Sequence, residues 1–280
     1  MRFKENGSMA KTDKNYLKNI QYRDSSNFMA RMKILEYGKH PQSPWQWLAE
    51  IYDFSTAQTI LEVGCGNGLI WSSLANQLTA KHRVELTDLS VGMLDITKTN
   101  IAQLASPAQF KFSVQDLEQL PYPDHSFDVV LAHMLLYHFP DPKHAIKEIS
   151  RVVNTHGWTG ITTFDSTTSR AMYQLAHQLE PSIPAFAATI RSFTEEIALE
   201  LLPSFFDQIS THHYTNPLHI TDPQVVVDYI GSSAALKDLT NKTDFLDRYY
   251  SEVSHIINTQ GSFNSDFNMV LFLCKRTKYQ

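Results

Sequence analysis

The sequence is short of cysteine, of long apolar runs and of positive charge. Its 280 residues contain 2 cysteines, Cys65 and Cys274, which lie too far apart in the chain to indicate a disulfide framework or a zinc site. No apolar run reaches the roughly 18 residues that a membrane helix needs, and the N-terminal residues carry no apolar stretch typical of an export signal. We therefore expect a cytoplasmic protein without a membrane partner.

Positive charges are outnumbered, since 24 Lys and Arg residues face 29 Asp and Glu residues and leave a net charge of −5. A chain without a basic excess cannot neutralise many phosphates, which argues against a nucleic-acid partner. The hydrophobic fraction of 42% is ordinary for a globular protein and excludes a mainly disordered chain. These totals leave a folded protein that acts on something other than nucleic acid.

Aromatic residues are scarce in one part of the chain. Residues 61–120 contain only Trp71, Phe110 and Phe112, and this part alternates between short apolar runs and helical patterns. Seven strands are predicted, at residues 59–63, 82–88, 109–115, 127–133, 158–163, 207–214 and 268–274. Helical patterns between the first five strands predict an α/β fold with a doubly wound, mostly parallel seven-stranded sheet.

The aromatic-rich ends of the chain predict helices that cover this sheet. We expect residues 1–50 to form a helical cap of one or two helices, and residues 51–280 to form the α/β domain. Residues 222–260 are predicted as a helical insertion, or lid, before the last strand. Because Gly7-Ser8-Met9 is typical of a cloning remnant, we expect residues 1–8 not to be native.

Three polar residues are predicted to begin helices. Ser90 stands at the N-cap of the helix after the second strand. Ser192 and Glu195 have the spacing of a capping box, and so do Thr221 and Gln224, so each pair is expected to open a helix.

The most informative segment follows the first predicted strand and reads Ile-Leu-Glu-Val-Gly-Cys-Gly-Asn-Gly over residues 60–68. Glycines at 64, 66 and 68 permit a tight turn and let the backbone approach a ligand beside a helix N-terminus. A dinucleotide fingerprint would place its third glycine at position 69, where this chain has Leu69. The spacing therefore indicates a nucleotide-type ligand but disfavours a nicotinamide cofactor.

Two acidic residues extend this pattern to neighbouring strands. Asp88 ends the second predicted strand, where a carboxylate can accept hydrogen bonds from both hydroxyls of a ribose. Asp116 ends the third, where it can accept from the exocyclic amine of an adenine. Since open α/β sheets bind ligands at the carboxyl ends of their strands, the loop and both acids are expected to meet there.

This combination resembles the class I S-adenosylmethionine-dependent methyltransferases, especially the methyltransferase-11-like branch. The resemblance spans residues 60–163 and rests on five segments, which are Leu61–Gly68, Thr87–Ser90, Val114–Leu117, Leu120–Asp128 and Glu148–Val153. One departure is the turn at residues 153–157, where Val-Asn-Thr-His-Gly replaces the usual Leu-Lys-Pro-Gly-Gly.

The resemblance implies a Rossmann-like methyltransferase fold with S-adenosylmethionine as cofactor. It implies that the glycine loop and Glu62 hold the methionine end, that Asp88 holds the ribose, and that Asp116 frames the adenine. The full set of candidate cofactor residues is Glu62, Gly64, Cys65, Gly66, Gly68, Asp88, Leu89, Met93, Asp116, Leu117, His133, Tyr22 and Arg31.

Four of the candidates lie outside the motifs themselves. Tyr22 and Arg31 of the cap could close over the sulfonium and the cofactor carboxylate, although a surface position for Arg31 is an equally open interpretation. His133 and His138, at and after the end of the fourth strand, are candidate general bases because imidazole titrates near neutrality. A structural role is the alternative for each histidine. No metal is expected.

We accordingly predict methyl transfer to a small-molecule acceptor by in-line displacement, with the protein mainly aligning the reactants. Residues Ala132–Leu135 lack the Asp/Asn-Pro-Pro-Tyr/Phe segment that the family uses for nucleobase amines and glutamine amides, so those acceptors are disfavoured. Two alternatives stay open, a nicotinamide-dependent oxidoreductase and a cofactor-binding protein without methyl transfer. The acceptor atom and the oligomeric state are not predicted.

Overall fold

The computed structural model describes residues 14–23, 26–186, 192–236 and 239–276, and residues 1–8 fall outside these ranges. Its strands are β1 (Thr59–Val63), β2 (Arg83–Asp88), β3 (Gln109–Val114), β4 (Phe127–His133), β5 (Val153–Phe164), β6 (Gln208–Ile220) and β7 (Phe263–Lys275). They form one sheet in the order β3-β2-β1-β4-β5-β7-β6. The pairs among β1 to β5 are parallel, and β7 runs antiparallel to both neighbours. The predicted seven-stranded, mostly parallel α/β sheet is confirmed.

The helices cover both faces of this sheet and its carboxyl edge. They are α1 (Lys14–Tyr16), α2 (Ser26–Met32), α3 (Pro44–Ile51), α4 (Trp71–Leu74), α5 (Val91–Ala102), α6 (Lys143–Val152), α7 (Arg170–Leu179), α8 (Glu195–Leu201), α9 (Pro223–Gly231) and α10 (Lys242–Gln260). The expectation of one or two helices in the cap was wrong, because its described part contains three short α-helices joined by π and 3-10 turns. Single turns of this kind form where tertiary packing, and not a long amphipathic repeat, holds the backbone.

The middle of the sheet is buried on both sides. Every residue of β4 from Val129 to Ala132 is fully buried, as expected for a parallel strand that helices cover on both faces. One apolar cluster lies with α3, α4 and the cap, and a second lies with α6 and α8 on the opposite face. This packing holds the carboxyl ends of the central strands in fixed positions.

Strands β5, β6 and β7 are longer than predicted. β6 and β7 pair continuously from Gln208 with Lys275 to Ile220 with Phe263 and form a two-stranded ribbon. Along β6 the residues from Tyr214 to Ile220 alternate between buried and exposed. Because every second residue of this stretch is exposed, it contains no continuous apolar run, and the predicted strand was therefore too short.

Two of the three predicted helix starts require correction. Ser90 caps α5 as expected, since its Oγ accepts from the Met93 backbone N–H at 3.3 Å. By contrast, Thr194 caps α8 and Asp222 caps α9, so the predicted starts at Ser192 and Thr221 were wrong. Pro223 explains the second case, because proline favours the first helical position and so makes the residue before it the cap.

Among the described residues, no helix combines the length and the apolar character that a membrane crossing requires. Cys65 and Cys274 are both buried free thiols.

Candidate active site

The carboxyl ends of β1, β2 and β4 open into a cavity of about 260 Å³. The glycine loop, the residues after β2 and β3, and the turn after β4 form one wall. The cap, α7 and α9 form the other. The structure places every predicted site residue on these walls except Gly68.

The glycine loop adopts a backbone that other residues rarely take. Gly64 and Gly66 have φ angles of 65° and 56°, in the left-handed region that favours glycine. A Cβ on Gly64 would stand 2.7 Å from the Leu135 side chain, whereas a Cβ on Gly66 would meet only the Met93 methyl group, at 3.7 Å. The loop is therefore packed at Gly64 and leaves room for a ligand at Gly66.

Gly68, a predicted cofactor residue, lies away from the cavity wall. This glycine does not line the cavity but faces α5, where a Cβ would lie 2.8 Å from the Thr97 side chain. Its N–H donates to the Cys65 carbonyl at 2.9 Å and closes the turn. The third glycine thus shapes the loop and lets α5 pack against it, a role that spacing alone does not separate from ligand binding.

Asp88 joins the loop to the end of β2. Its Oδ2 accepts from the Gly66 backbone N–H at 2.9 Å, and its Oδ1 accepts from the Ser90 N–H at 2.8 Å. Burial raises the pKa of Asp88 to about 6, although the backbone hydrogen bonds oppose this shift. A carboxylate oxygen can accept more than one hydrogen bond, so both oxygens can still accept from ribose hydroxyls.

Asp116 follows β3 and forms an ion pair with Lys14 of the N-terminal segment, residues 14–23. Lys14 Nζ lies 2.5 Å from Asp116 Oδ2 and 2.6 Å from Glu118 Oε2. The other Asp116 oxygen accepts from the Glu118 backbone N–H at 3.1 Å. Sequence reasoning missed Lys14, since no local pattern relates it to an acid 102 positions away.

Glu62 and His133 belong to a buried chain of hydrogen bonds. Glu62 Oε2 accepts from Trp71 Nε1 at 2.5 Å, and Glu62 Oε1 lies 2.8 Å from His133 Nδ1. His133 Nε2 in turn lies 2.8 Å from the Tyr52 hydroxyl. Burial raises the pKa of Tyr52 well above its usual value, so Tyr52 keeps its proton.

Cys65 sits inside the loop with its thiol against α5. Burial, followed by the nearby negative charges of Glu62 and Asp88, raises the pKa of Cys65 well above its usual value. Its Sγ lies 3.8 Å from Thr97 Oγ1. A protonated, buried thiol is unreactive, so its chemistry is that of a small packed side chain.

The predicted residues Tyr22, Arg31 and His138 form one cluster, where the cap meets the turn after β4. The Tyr22 hydroxyl lies 3.1 Å from His138 Nε2, and Arg31 Nη2 donates to the same hydroxyl at 3.5 Å. Arg31 Nη1 donates to the Ser232 carbonyl, just after α9, at 3.4 Å. The cap and α9 thus meet at this cluster.

The two adjacent histidines of β6 do not form a pair. His213 Nε2 lies 2.8 Å from Glu195 Oε1, while His212 Nε2 lies 3.3 Å from Ser210 Oγ. In the part of the chain that the structure describes, no group of three or more His, Cys, Asp and Glu side chains has the arrangement of a metal site.

Comparison with known proteins identifies the domain. Residues 61–161 match the family model of a methyltransferase domain. The biotin biosynthesis bifunctional protein BioHC of Teredinibacter turnerae is 23% identical over 175 residues, which cover 59% of this chain and 30% of that protein. The 27-O-demethylrifamycin SV methyltransferase of Amycolatopsis mediterranei is 30% identical over 119 residues, 42% of either chain. This chain therefore spans less than half the length of these two curated relatives.

A solved structure shows the same fold over most of the chain. The phosphoethanolamine N-methyltransferase 2 of Haemonchus contortus, in complex with S-adenosyl-L-methionine, has a TM-score of 0.57 at 18% identity. The match covers 96% of this chain and 61% of that one. The sheet order and the glycine loop define a class I methyltransferase fold. Residues 61–161 are thus a methyltransferase domain, in agreement with the resemblance to the class I S-adenosylmethionine-dependent methyltransferases.

Proposed function

We propose that this protein transfers the methyl group of S-adenosylmethionine to a small-molecule acceptor. The observation that carries the proposal is the hydrogen bond of 2.9 Å from the Gly66 N–H to Asp88 Oδ2. It joins the glycine loop to the acid that we assign to the ribose, on one wall of the cavity. The names of the rifamycin and phosphoethanolamine enzymes describe small-molecule acceptors, which supports the same class of acceptor here.

The residues on this wall suit the three parts of the cofactor. We assign the methionine end to Gly64, Gly66 and Cys65 of the loop, whose position Glu62 and His133 stabilise. We assign the ribose to Asp88, Leu89 and Met93, and the adenine to Asp116 and Leu117. The open space beside Gly66, where a side chain would project toward Met93, fits a ligand lying against the backbone.

The chemistry requires alignment more than activation. The cofactor supplies a methyl group that is already electrophilic, so the walls of the cavity need to hold the acceptor in line with it, which can lower a barrier by about 7–11 kcal/mol. A base is needed only when the acceptor is a hydroxyl or a protonated amine. His138 is our candidate, because its Nε2 lies 3.1 Å from the Tyr22 hydroxyl at the cavity surface. For His133, hydrogen bonds at both ring nitrogens favour a positioning role.

Titration calorimetry with S-adenosylhomocysteine and with NADH tests the cofactor. We expect the first to bind and the second not to bind, and binding of NADH alone would overturn the proposal. Transfer of labelled methyl from S-adenosylmethionine to a panel of small acids, phenols and amines tests the reaction. Tight binding of S-adenosylhomocysteine without transfer to any acceptor would favour a cofactor-binding protein. A cytoplasmic location also remains a proposal.

A further inference from the structure

Five aromatic residues line the part of the cavity beside β5 and β7. The ring of Phe164, at the end of β5, lies 5.8 Å from the ring of Tyr137 and 5.4 Å from that of Phe267 on β7, measured between centroids. Tyr173 of α7 and Tyr229 of α9 complete the set. Tyr137 and Phe164 are only partly buried, so a ligand in the cavity can pack against both rings. We call these five residues the ring cluster.

The sheet order separates the ring cluster from the assigned cofactor residues. The glycine loop, Asp88 and Asp116 lie at the ends of β1, β2 and β3, which are together on one side of β4. Phe164 and Phe267 belong to β5 and β7, on the other side of β4. The cavity extends over both sides. When the cofactor occupies the side of β1 to β3, the side of the ring cluster is left for the methyl acceptor.

Tyr229 adds a polar group to the ring cluster. Its hydroxyl accepts a hydrogen bond of 2.7 Å from Ser169 Oγ. The hydrogen of the Tyr229 hydroxyl itself has no acceptor among the residues that the structure describes. Burial raises the pKa of Tyr229 well above its ordinary value, so the hydroxyl keeps this hydrogen. Because Tyr229 lines the cavity, the oxygen of a ligand can supply the acceptor that the protein lacks.

Ser169, the donor to Tyr229, is held in an unusual backbone conformation. It is fully buried and has a φ of 57° and a ψ of 18°, in the left-handed region that favours glycine. Its N–H donates to the Asp266 carbonyl at 2.9 Å, and its carbonyl accepts from the Tyr173 N–H at 3.2 Å. A glycine would make both backbone contacts without strain. What the serine adds is the hydroxyl that fixes the side chain of Tyr229.

We propose that the methyl acceptor is a flat aromatic compound whose ring packs against Phe164 and Tyr137 and whose carbonyl or hydroxyl oxygen accepts a hydrogen bond from Tyr229. Ser169 is then a positioning residue, which acts on the acceptor through Tyr229. This inference rests on the proposed methyl transfer and adds the class of acceptor. Aromatic rings gain from offset-stacked or edge-to-face contact with one another, which a saturated ring of similar size cannot reproduce.

Two ketones that differ in the saturation of one ring test the aromatic contact. With the protein saturated with S-adenosylhomocysteine, we expect 1-indanone to bind at least about threefold more tightly than octahydroinden-1-one, as contact between aromatic rings predicts. Phe164→Leu should abolish most of this preference. Phe110→Leu is the matched control, since this half-buried ring packs against Trp71 and does not line the cavity. Equal binding of the two ketones by the wild type, or binding of neither at millimolar concentration, would overturn the proposal.

A third probe, indane, has the same aromatic bicycle without the oxygen and tests the hydrogen bond. Tyr229→Phe should weaken 1-indanone by about threefold or more and leave indane unchanged. Ser169→Gly should shift the ratio of the two affinities in the same direction, although it relieves the backbone strain. Tyr214→Phe removes a hydroxyl that is bonded to the Gln42 carbonyl outside the cavity, and should preserve the ratio.

The ratio of two ligands in one variant does not depend on how much of that variant is folded. If Tyr229→Phe weakens indane as much as 1-indanone, Tyr229 only shapes the cavity and the inference is wrong. If Ser169→Gly changes both affinities alike, its role is structural and the positioning role is wrong. Failure of the wild type to bind S-adenosylhomocysteine would instead contradict the proposed function itself.

Discussion

Glu62 and His133 share a buried hydrogen bond of 2.8 Å between Oε1 and Nδ1, at the carboxyl ends of β1 and β4. The second Glu62 oxygen accepts from Trp71, and the second His133 nitrogen meets the Tyr52 hydroxyl. Both oxygens of Glu62 therefore have protein partners, and these hydrogen bonds hold the end of β1 beside the glycine loop. The four side chains connect two strands, α4 and the end of α3.

We expect Trp71→Phe to lower the free energy of unfolding by about 2 kcal/mol beyond the loss of ring area, because it leaves a buried carboxylate oxygen of Glu62 without its donor. Urea denaturation measures this difference. Trp158→Phe is the matched control, because its ring packs against Phe54 in the same core while its indole N–H has no described hydrogen bond. If both variants lose the same free energy of unfolding, the hydrogen bond from Trp71 to Glu62 contributes nothing to stability.

Gly64→Ala should destabilise the protein by about 2 kcal/mol through backbone strain and contact with Leu135. The φ of 65° and the 2.7 Å approach of a Cβ to the Leu135 side chain are separate causes. A double-mutant cycle with Leu135→Ala separates them, since the second substitution relieves the contact and leaves the strain. Strict additivity of the two substitutions in urea denaturation would contradict the predicted contact.

The sheet was predictable because its central strands carry local signals. β1 and β4 are short apolar runs, and their observed bounds equal the predicted ones. The glycines and Asp88 were predictable for a related reason, since parallel strands bring their carboxyl ends to one edge. The contacts that complete the site depend on tertiary packing. Tyr52 meets His133 across 81 positions, and Lys14 meets Asp116 across 102, with no periodicity to indicate either pair.

Asp88→Ala should weaken the binding of S-adenosylhomocysteine at least about tenfold, because it removes an acceptor for the ribose hydroxyls and the partner of the Gly66 N–H. Titration calorimetry measures the dissociation constant. Asp95→Ala serves as the control, since this acid on α5 is exposed and forms an ion pair with Lys98. An unchanged dissociation constant for the Asp88 variant would mean that the ribose is held elsewhere.

The affinity for S-adenosylhomocysteine should fall as the pH drops through about 6, the raised pKa of Asp88. Ribose hydroxyls donate to the ionised carboxylate, so protonation competes with the ligand, and the loss between pH 7 and pH 5 should be about tenfold. The contribution of Asp88 to the stability of the fold changes with pH in the opposite direction. Because the folded pKa lies above the unfolded value, Asp88 stabilises the fold at low pH and loses that contribution as the pH rises through about 6. Calorimetry on Asp88→Asn should show no pH dependence from this group, and a flat wild-type profile would contradict the assignment.

Lys14→Met should accelerate both the association and the dissociation of S-adenosylhomocysteine. Lys14 ties the N-terminal segment to Asp116 and Glu118, and the same segment is held near its other end by the Ser90 hydroxyl, which donates to the Tyr22 carbonyl at 2.8 Å. Loss of the ion pairs frees one end of the segment over the adenine side of the cavity.

Stopped-flow measurements at about 50 mM and about 500 mM salt provide the readout, since salt screens partly exposed ion pairs. High salt should accelerate the wild type toward the rates of the Lys14 variant and change that variant little. Lys111→Met removes an exposed lysine paired with Glu85 outside the cavity and should behave as the wild type. Rates that are the same in the wild type and the Lys14 variant at both salt concentrations would show that the N-terminal segment does not control access to the cavity.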